Sequence, residues 1–181
     1  MTFTIDTRDS DVFTVLRAFI MDALGTAVND VIKVPANRAS MPKLVPFITM
    51  APLLKQEVHK PVVTTSAPPG TQSSFTKTAI EFHIQLDAYG PTAGDLTSLL
   101  FGLLDSPEAF NFFASNTALA IRPLYAEAPH QAPLVDDEMQ YDIRWSMRVC
   151  LQYNPILTTT PVQTASTVTV GTVNVEATYG P

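Results

Sequence analysis

Residues 78–89, TAIEFHIQLDAY, decide the reading of the fold. Ile80, Phe82, Ile84, Leu86 and Ala88 fall on one side of an extended chain, and Glu81, His83, Gln85, Asp87 and Tyr89 fall on the other. Alternation at a period of two marks a strand with one face on a core and the other on water or a partner. Burying the four large apolar side chains contributes on the order of 6–12 kcal/mol before conformational entropy is subtracted. Residues 140–154, QYDIRWSMRVCLQYN, repeat the pattern. Tyr141, Ile143, Trp145, Met147, Val149, Leu151 and Tyr153 share one face, with Asp142, Arg144, Ser146, Arg148, Cys150 and Gln152 on the opposite one.

The segments around these strands alternate between helical and extended patterns. DVFTVLRAFIMDAL at 11–24 places Val12, Phe13, Leu16, Phe19, Ile20, Ala23 and Leu24 on one stripe, which predicts a helix capped by Asp9 or Ser10 and stopped at Gly25. Val31–Asn37 and Val45–Lys55 are candidate strands, expected to be short, edge or irregular because they carry Pro35, Pro46 and Pro52. Tyr89-Gly90-Pro91 ends the first strong strand. A helix over 92–104 follows, with Leu96, Leu99, Leu100, Leu103 and Leu104 as its buried stripe and Thr92 and Asp95 spaced as a capping box. Ser106-Pro107 starts a short helix loaded with Phe110, Phe112 and Phe113, and residues 118–128 read as a strand interrupted at Pro123.

Residues 59–74, HKPVVTTSAPPGTQSS, read as a long loop or hairpin tip. After Pro155 the composition turns to Thr and Val. Residues 156–181 are therefore expected to be an extended arm, too poor in large apolar groups to fold alone, that docks on its own domain or on a neighbour. The expected organisation is an α+β domain over 1–155, mostly antiparallel sheet with helices packed on one face, followed by the arm.

Hydrophobic residues make up 46% of the chain and charged residues only 15%, against ~25% in ordinary soluble domains, which favours a protein that hides surface in an assembly. The net charge is −6 and no run of Lys or Arg is present, so stable gripping of nucleic acid is not expected. Cys150 is the single cysteine, which excludes an intrachain disulfide. MTFTIDTRDSD has neither a basic nor an apolar leader region, and no apolar run approaches the roughly 20 residues of a membrane span, so neither secretion nor membrane insertion is expected.

Chemistry-bearing patterns are missing. The seven glycines form neither GxxxxGK nor GxGxxG, and there is no G-x-S-x-G elbow. His59, His83 and His130 are far apart and none is adjacent to the cysteine, so zinc spacing is absent and Cys150 reads as a small strand residue. Asp136-Asp137-Glu138 lacks the offsets of a calcium loop and reads as a solvated acidic turn. No catalytic, cofactor-binding or metal residue and no cofactor is therefore assigned. If the two strong strands are neighbours, Glu81 and Asp87 approach Arg144 and Arg148. Such pairs contribute roughly 0.2–1 kcal/mol each within a sheet, or fix register against a neighbouring subunit.

Four short motifs then stand in order: QLDAYGP at 85–91, PLY at 123–125, PLVDDEMQYDIRW at 133–145 and LQYNP at 151–155. Together they resemble the neck or tail terminator proteins of long-tailed bacteriophages over roughly residues 10–155. The resemblance implies a non-enzymatic virion protein of the neck, assembled in the host cytoplasm. It implies a homo-oligomer, a hexameric ring that caps the tail tube, ends tail elongation and meets the head-side connector, with genomic DNA passing through the lumen unbound. It also implies structural or interface roles for Asp87, Tyr89, Tyr125, Gln140, Tyr141, Arg144 and Trp145, beside Glu81, His83 and Arg148 from the polar faces. Two alternatives stay open: a head-completion or connector-adaptor protein of the same neck, and a small ligand-binding or enzymatic domain, for which His83, Asp87 and Arg144 are the cluster to examine.

Overall fold

The two alternating stretches pair with each other. A computed structural model describes residues 2–34, 45–66, 73–115, 120–132, 134–135 and 141–160. In chain order the elements are β1 (Thr2–Ile5), α1 (Asp9–Leu24), β2 (Asp30–Lys33), β3 (Phe47–Glu57), β4 (Val62–Ser66), β5 (Ser73–Lys77), β6 (Ile80–Tyr89) and α2 (Ala93–Leu104). They continue with α3 (Pro107–Ser115), β7 (Arg122–Ala126), β8 (His130–Gln131), β9 (Leu134–Val135), β10 (Tyr141–Asp142), β11 (Arg144–Tyr153) and β12 (Ile156–Thr160). β6 and β11 run antiparallel with Ile84 opposite Val149, Leu86 opposite Met147 and Phe82 opposite Leu151, so the two apolar faces become one.

The main sheet has the order β2-β3-β6-β11-β7, and β8 also pairs with β11. All pairings in it are antiparallel except β2 with β3. The helices lie on the apolar face. Val12, Leu16 and Ile20 of α1, Leu96 and Leu100 of α2, and Phe113 of α3 share one cluster with Ile48, Met50, Ile84, Leu86, Val149 and Leu151. Phe13 packs edge-on against Phe82, and Phe19 contacts both Phe112 and Phe113. This is an α+β fold of mostly antiparallel sheet with helices on one face.

Several local expectations change. β3 is an eleven-residue inner strand between β2 and β6, neither short nor at an edge. Its register shifts between Pro52 and Leu54, so Pro52 sits at a bulge, where a ladder tolerates a missing N–H. The N-cap of α1 is Arg8 rather than Asp9 or Ser10, and the Asp11 carboxylate accepts the Arg8 N–H at 2.7 Å. Thr92 precedes α2 but makes no side-chain cap. Ser106 does cap α3, accepting the Ala109 N–H at 3.4 Å. Leu99 and Phe110, expected in the core, are 50% and 54% exposed. Ile143 also faces out, because the second long strand breaks there into β10 and β11. Trp145 packs at the core margin, against the start of α2. A Cβ on Gly94 would lie 3.0 Å from its indole, so glycine is what lets the ring approach the helix.

Beyond residues 57, 79 and 154 the three long strands continue into a second sheet, ordered β1-β12-β5-β4. Val58 N–H donates to the Ala79 carbonyl and Thr78 N–H to the Pro155 carbonyl, so hydrogen bonding bridges the junction. Of the two forms expected for 59–74, a loop or a hairpin tip, the structure has the hairpin β4–β5, and β-branched Val62, Val63, Thr64 and Thr65 explain its extended form. The start of the expected arm, Ile156–Thr160, is β12, paired with β1 and β5 of its own chain. Residues 67–72 and 161–181 lie outside the described residues.

A polar clasp joins α1 to the far end of the main sheet. The Tyr153 hydroxyl donates to Asp9 Oδ1 at 2.6 Å, and Lys55 Nζ donates to the same oxygen at 2.7 Å. Burial, and then the bond to Asp9, push the Tyr153 hydroxyl up from 10.0 to about 12. Burial alone would raise Asp9, but the bonds from Lys55 and Tyr153 outweigh it and hold the carboxyl below its usual range.

Leu86→Ala is expected to cost about 2–5 kcal/mol and Leu99→Ala less than about 0.5 kcal/mol, read from urea midpoints. The clasp adds a pH signature. An unfolded tyrosine ionises near 10.0, whereas folded Tyr153 holds its proton to about 12, so this contribution is complete below 10.0 and is lost as pH rises through that window. Tyr153→Phe should make the loss of stability over this alkaline window less steep.

Candidate functional site

The outer face of the main sheet carries the candidate residues. Glu81, His83, Gln85, Asp87 and Tyr89 of β6 stand opposite Gln152, Cys150, Arg148, Ser146 and Arg144 of β11. Gln56, Leu54, Ala51, Thr49 and Phe47 of β3 flank β6 on its other side. None of Phe47, Thr49, His83, Asp87, Ser146 or Cys150 belongs to the helix-facing cluster, although each is buried. This face is therefore a second, more polar packed layer rather than a fully wetted surface.

The charges pair differently from the expectation. Asp87 and Arg144 do meet, with Arg144 Nε 3.9 Å from Asp87 Oδ1. That distance exceeds a hydrogen bond, and Arg144 Nε, buried, has no hydrogen-bond partner among the described residues. Gln85 Nε2 holds both Asp87 oxygens instead, at 2.9 and 3.0 Å. Glu81 does not reach Arg148. It accepts Gln56 Nε2 at 2.8 Å, while Arg148 Nη1 donates to Glu127 at 2.9 Å. The register explains this, since Arg148 stands across from Gln85, four pairs along the ladder from Glu81.

Tyr89 stacks on Phe47 with ring centroids 4.7 Å apart and planes 11° apart. Tyr125 comes from β7, opposite Cys150, and presents its ring edge-on to His83 at 6.2 Å. Tyr141 belongs to β10, which pairs with β9 apart from the main sheet. Gln140 lies outside the described residues.

The strand register supplies one adjacency that sequence spacing lacked. His83 and Cys150, 67 residues apart in the chain, are direct cross-strand partners, with Cys150 Sγ 3.8 Å from His83 Nε2. With Glu81 they bring three ligand-type atoms within 4.8 Å of one another. The thiol is pushed up by burial and, more weakly, by the negative charge of Glu81. A signal existed: Cys150 and His83 both occupy the polar phase of an alternating strand, and pairing β6 with β11 in register aligns them.

A hollow on the same face is lined by Leu53, Gln85, Glu127, His130, Ser146 and Arg148. It holds about 50 Å³. That is well short of the roughly 300–1,000 Å³ of small-molecule pockets, which disfavours a ligand of that size there.

Removing Arg144 leaves the buried Asp87 carboxylate with only a neutral amide. Arg144→Leu is expected to cost about 1–3 kcal/mol in chemical denaturation, and Arg148→Leu, whose partner is half-exposed, less than about 1 kcal/mol. Equal costs would contradict this account of the face.

No curated protein matches the chain. A family model described as phage neck terminator protein matches residues 10–179. The match runs from the first turn of α1 past the end of β12, taking in the main sheet, its helices and the hairpin β4–β5. The chain thus belongs to the phage neck terminator protein family, a family of structural components of the virion that contact other head and tail proteins.

Proposed function

We propose that copies of this chain close into a ring, most simply a hexamer, that caps the last ring of the tail tube, stops its elongation and presents a surface to the head-side connector. The observation that carries this reading is the second sheet. No residue of β1, β4, β5 or β12 whose side chain is described is buried, so among the described residues no layer covers either face of that sheet. Phe3, Ile5, Val62 and Val63 on it are 49–62% exposed, and Leu53, Leu54 and Val58 continue the apolar surface along β3 and the turn that follows. A sheet ordinarily needs a covering layer, and exposed apolar surface of this kind marks an assembly contact. Among the described residues its edge strands, β1 and β4, pair on one side only and so offer backbone groups to a neighbour. Ring closure needs two different complementary patches per subunit, and the uncovered sheet and the outer face of β6 and β11 provide two.

Within that ring the roles on the outer face divide by burial. His83, Asp87 and Tyr89 act from inside the subunit, while Glu81, Tyr125, Arg144 and Arg148 keep enough exposure to contact a neighbour. Gln140 and Tyr141 remain interface candidates through their motif. The work of such a ring is structural rather than catalytic, the acidic chain lets DNA pass without gripping it, and assembly takes place in the host cytoplasm.

The experiment is light scattering coupled to size exclusion, with negative-stain images of the same fractions. The wild type is expected as sixfold rings. The pair Val62→Asp with Val63→Asp should give monomers with an unchanged circular dichroism spectrum, because both side chains are exposed within the subunit. Rings that survive the double substitution, or a wild type that stays monomeric at every concentration, would overturn the reading.

A further inference from the structure

The outer face also holds a set of metal-ligand atoms, two of whose side chains, His83 and Cys150, are buried within the subunit. His83 is 7% exposed, and its Nδ1 is buried with no hydrogen-bond partner among the described residues. Its Nε2 faces Cys150 Sγ at 3.8 Å, and Cys150 is fully buried. Nothing else described gives this imidazole a polar contact that would fix its tautomer. Only Nε2, on the Cys150 side, has a polar neighbour, so it is the nitrogen placed to ligate an ion. The Glu81 carboxylate completes a group of three ligand atoms within 4.8 Å.

We propose that Glu81, His83 and Cys150 form a binding site for one divalent transition-metal ion of the zinc class. Thiolate, imidazole and carboxylate are the ligand types zinc accepts. With bond lengths of about 2.3 Å to sulfur and 2.0–2.1 Å to nitrogen, a tetrahedral ion holds those two atoms about 3.5 Å apart. The observed 3.8 Å is within a few tenths of that edge, so His83 and Cys150 already stand at ligand spacing, and the Glu81 carboxylate, in a set spanning up to 4.8 Å, closes in by side-chain rotation. The side chains project from adjacent positions of one ladder, with His83 opposite Cys150 and Glu81 two residues before His83 on the same face. Gln56 Nε2 already holds one Glu81 oxygen at 2.8 Å, which orients the carboxylate as an outer partner does in metal sites.

The charges balance. A divalent ion meets one carboxylate and one thiolate, the imidazole binds as the neutral base, and the thiol proton is released to solvent. A water fills the fourth position. The bound ion would staple β6 to β11 on the face away from the helices, beside the half-exposed ring of Tyr125.

Cobalt(II) is the probe, added to the full chain under reducing conditions. Cys150 is the sole cysteine, so a thiolate-to-cobalt charge-transfer band can arise from no other residue. The expected result is that band, saturating at one cobalt per chain, together with tetrahedral ligand-field bands, all displaced by zinc. Glu81→Gln, at a partly exposed position, should fold normally and weaken cobalt binding by about tenfold or more. Cys150→Ser should abolish the charge-transfer band. A wild type with no thiolate band at saturating cobalt overturns the site. So does a Glu81→Gln chain that binds as tightly as the wild type. Cobalt is counted per chain and all three ligand atoms come from one chain, so ring formation can fail while the site stands, and the reverse.

Discussion

Everything in this chain hangs from the antiparallel ladder between β6 and β11. Its register runs in ten consecutive pairs from Arg144 opposite Tyr89 to Tyr153 opposite Ile80. Because side chains alternate, that one register sets both faces. It joins Phe82, Ile84 and Leu86 to Met147, Val149 and Leu151, which gives the helices a continuous apolar floor. It also aligns His83 with Cys150 and brings Arg144 near Asp87 on the reverse side. A slip of one residue would bury charges under the helices and expose the core, so the alternative registers are strongly disfavoured.

The same ladder explains the reach of the fold. β3, β6 and β11 pass their order through the junction to β4, β5 and β12, and the hydrogen bonds of Val58 and Thr78 carry the pairing across. One end of this long ribbon is covered by three helices and the other by no described layer. The covered end supplies stability. The other end, with Val62, Val63, Phe3 and Ile5 exposed, is suited to contact with another protein. Membership in the phage neck terminator family accords with that division, since such proteins work by contact with other parts of the virion.

Much of this was legible in the residues, and the parts that were not have physical causes. The alternation of 80–89 and 144–153 identified both central strands and their buried faces, because a period of two is a direct record of burial. The helices were legible from their stripes, but Leu99 and Phe110 were not distinguishable as outward residues, since an apolar side chain carries no mark of which flank of its helix meets the sheet. For β3, Pro52 marked the irregularity, which is the bulge, but not the strand's length or inner position, because those depend on the partner strands. The reading of 59–74 as a loop or hairpin tip left the extent of β4 and β5 open, because their strand form rests on pairing rather than on a buried face. At the candidate site, Asp87 with Arg144 followed from the faces alone. His83 with Cys150 required the register, which two separate alternating segments do not specify.

The central claim is that this ring acts at one place, the growing end of the tail tube. Electron microscopy of purified tail tubes mixed with the protein tests it most directly. The account requires a sixfold ring of density at one end of each tube, and tubes so capped that no longer elongate when tube subunits are added. Protein bound along the tube walls, absent from the ends, or present at the ends of tubes that continue to grow would contradict it.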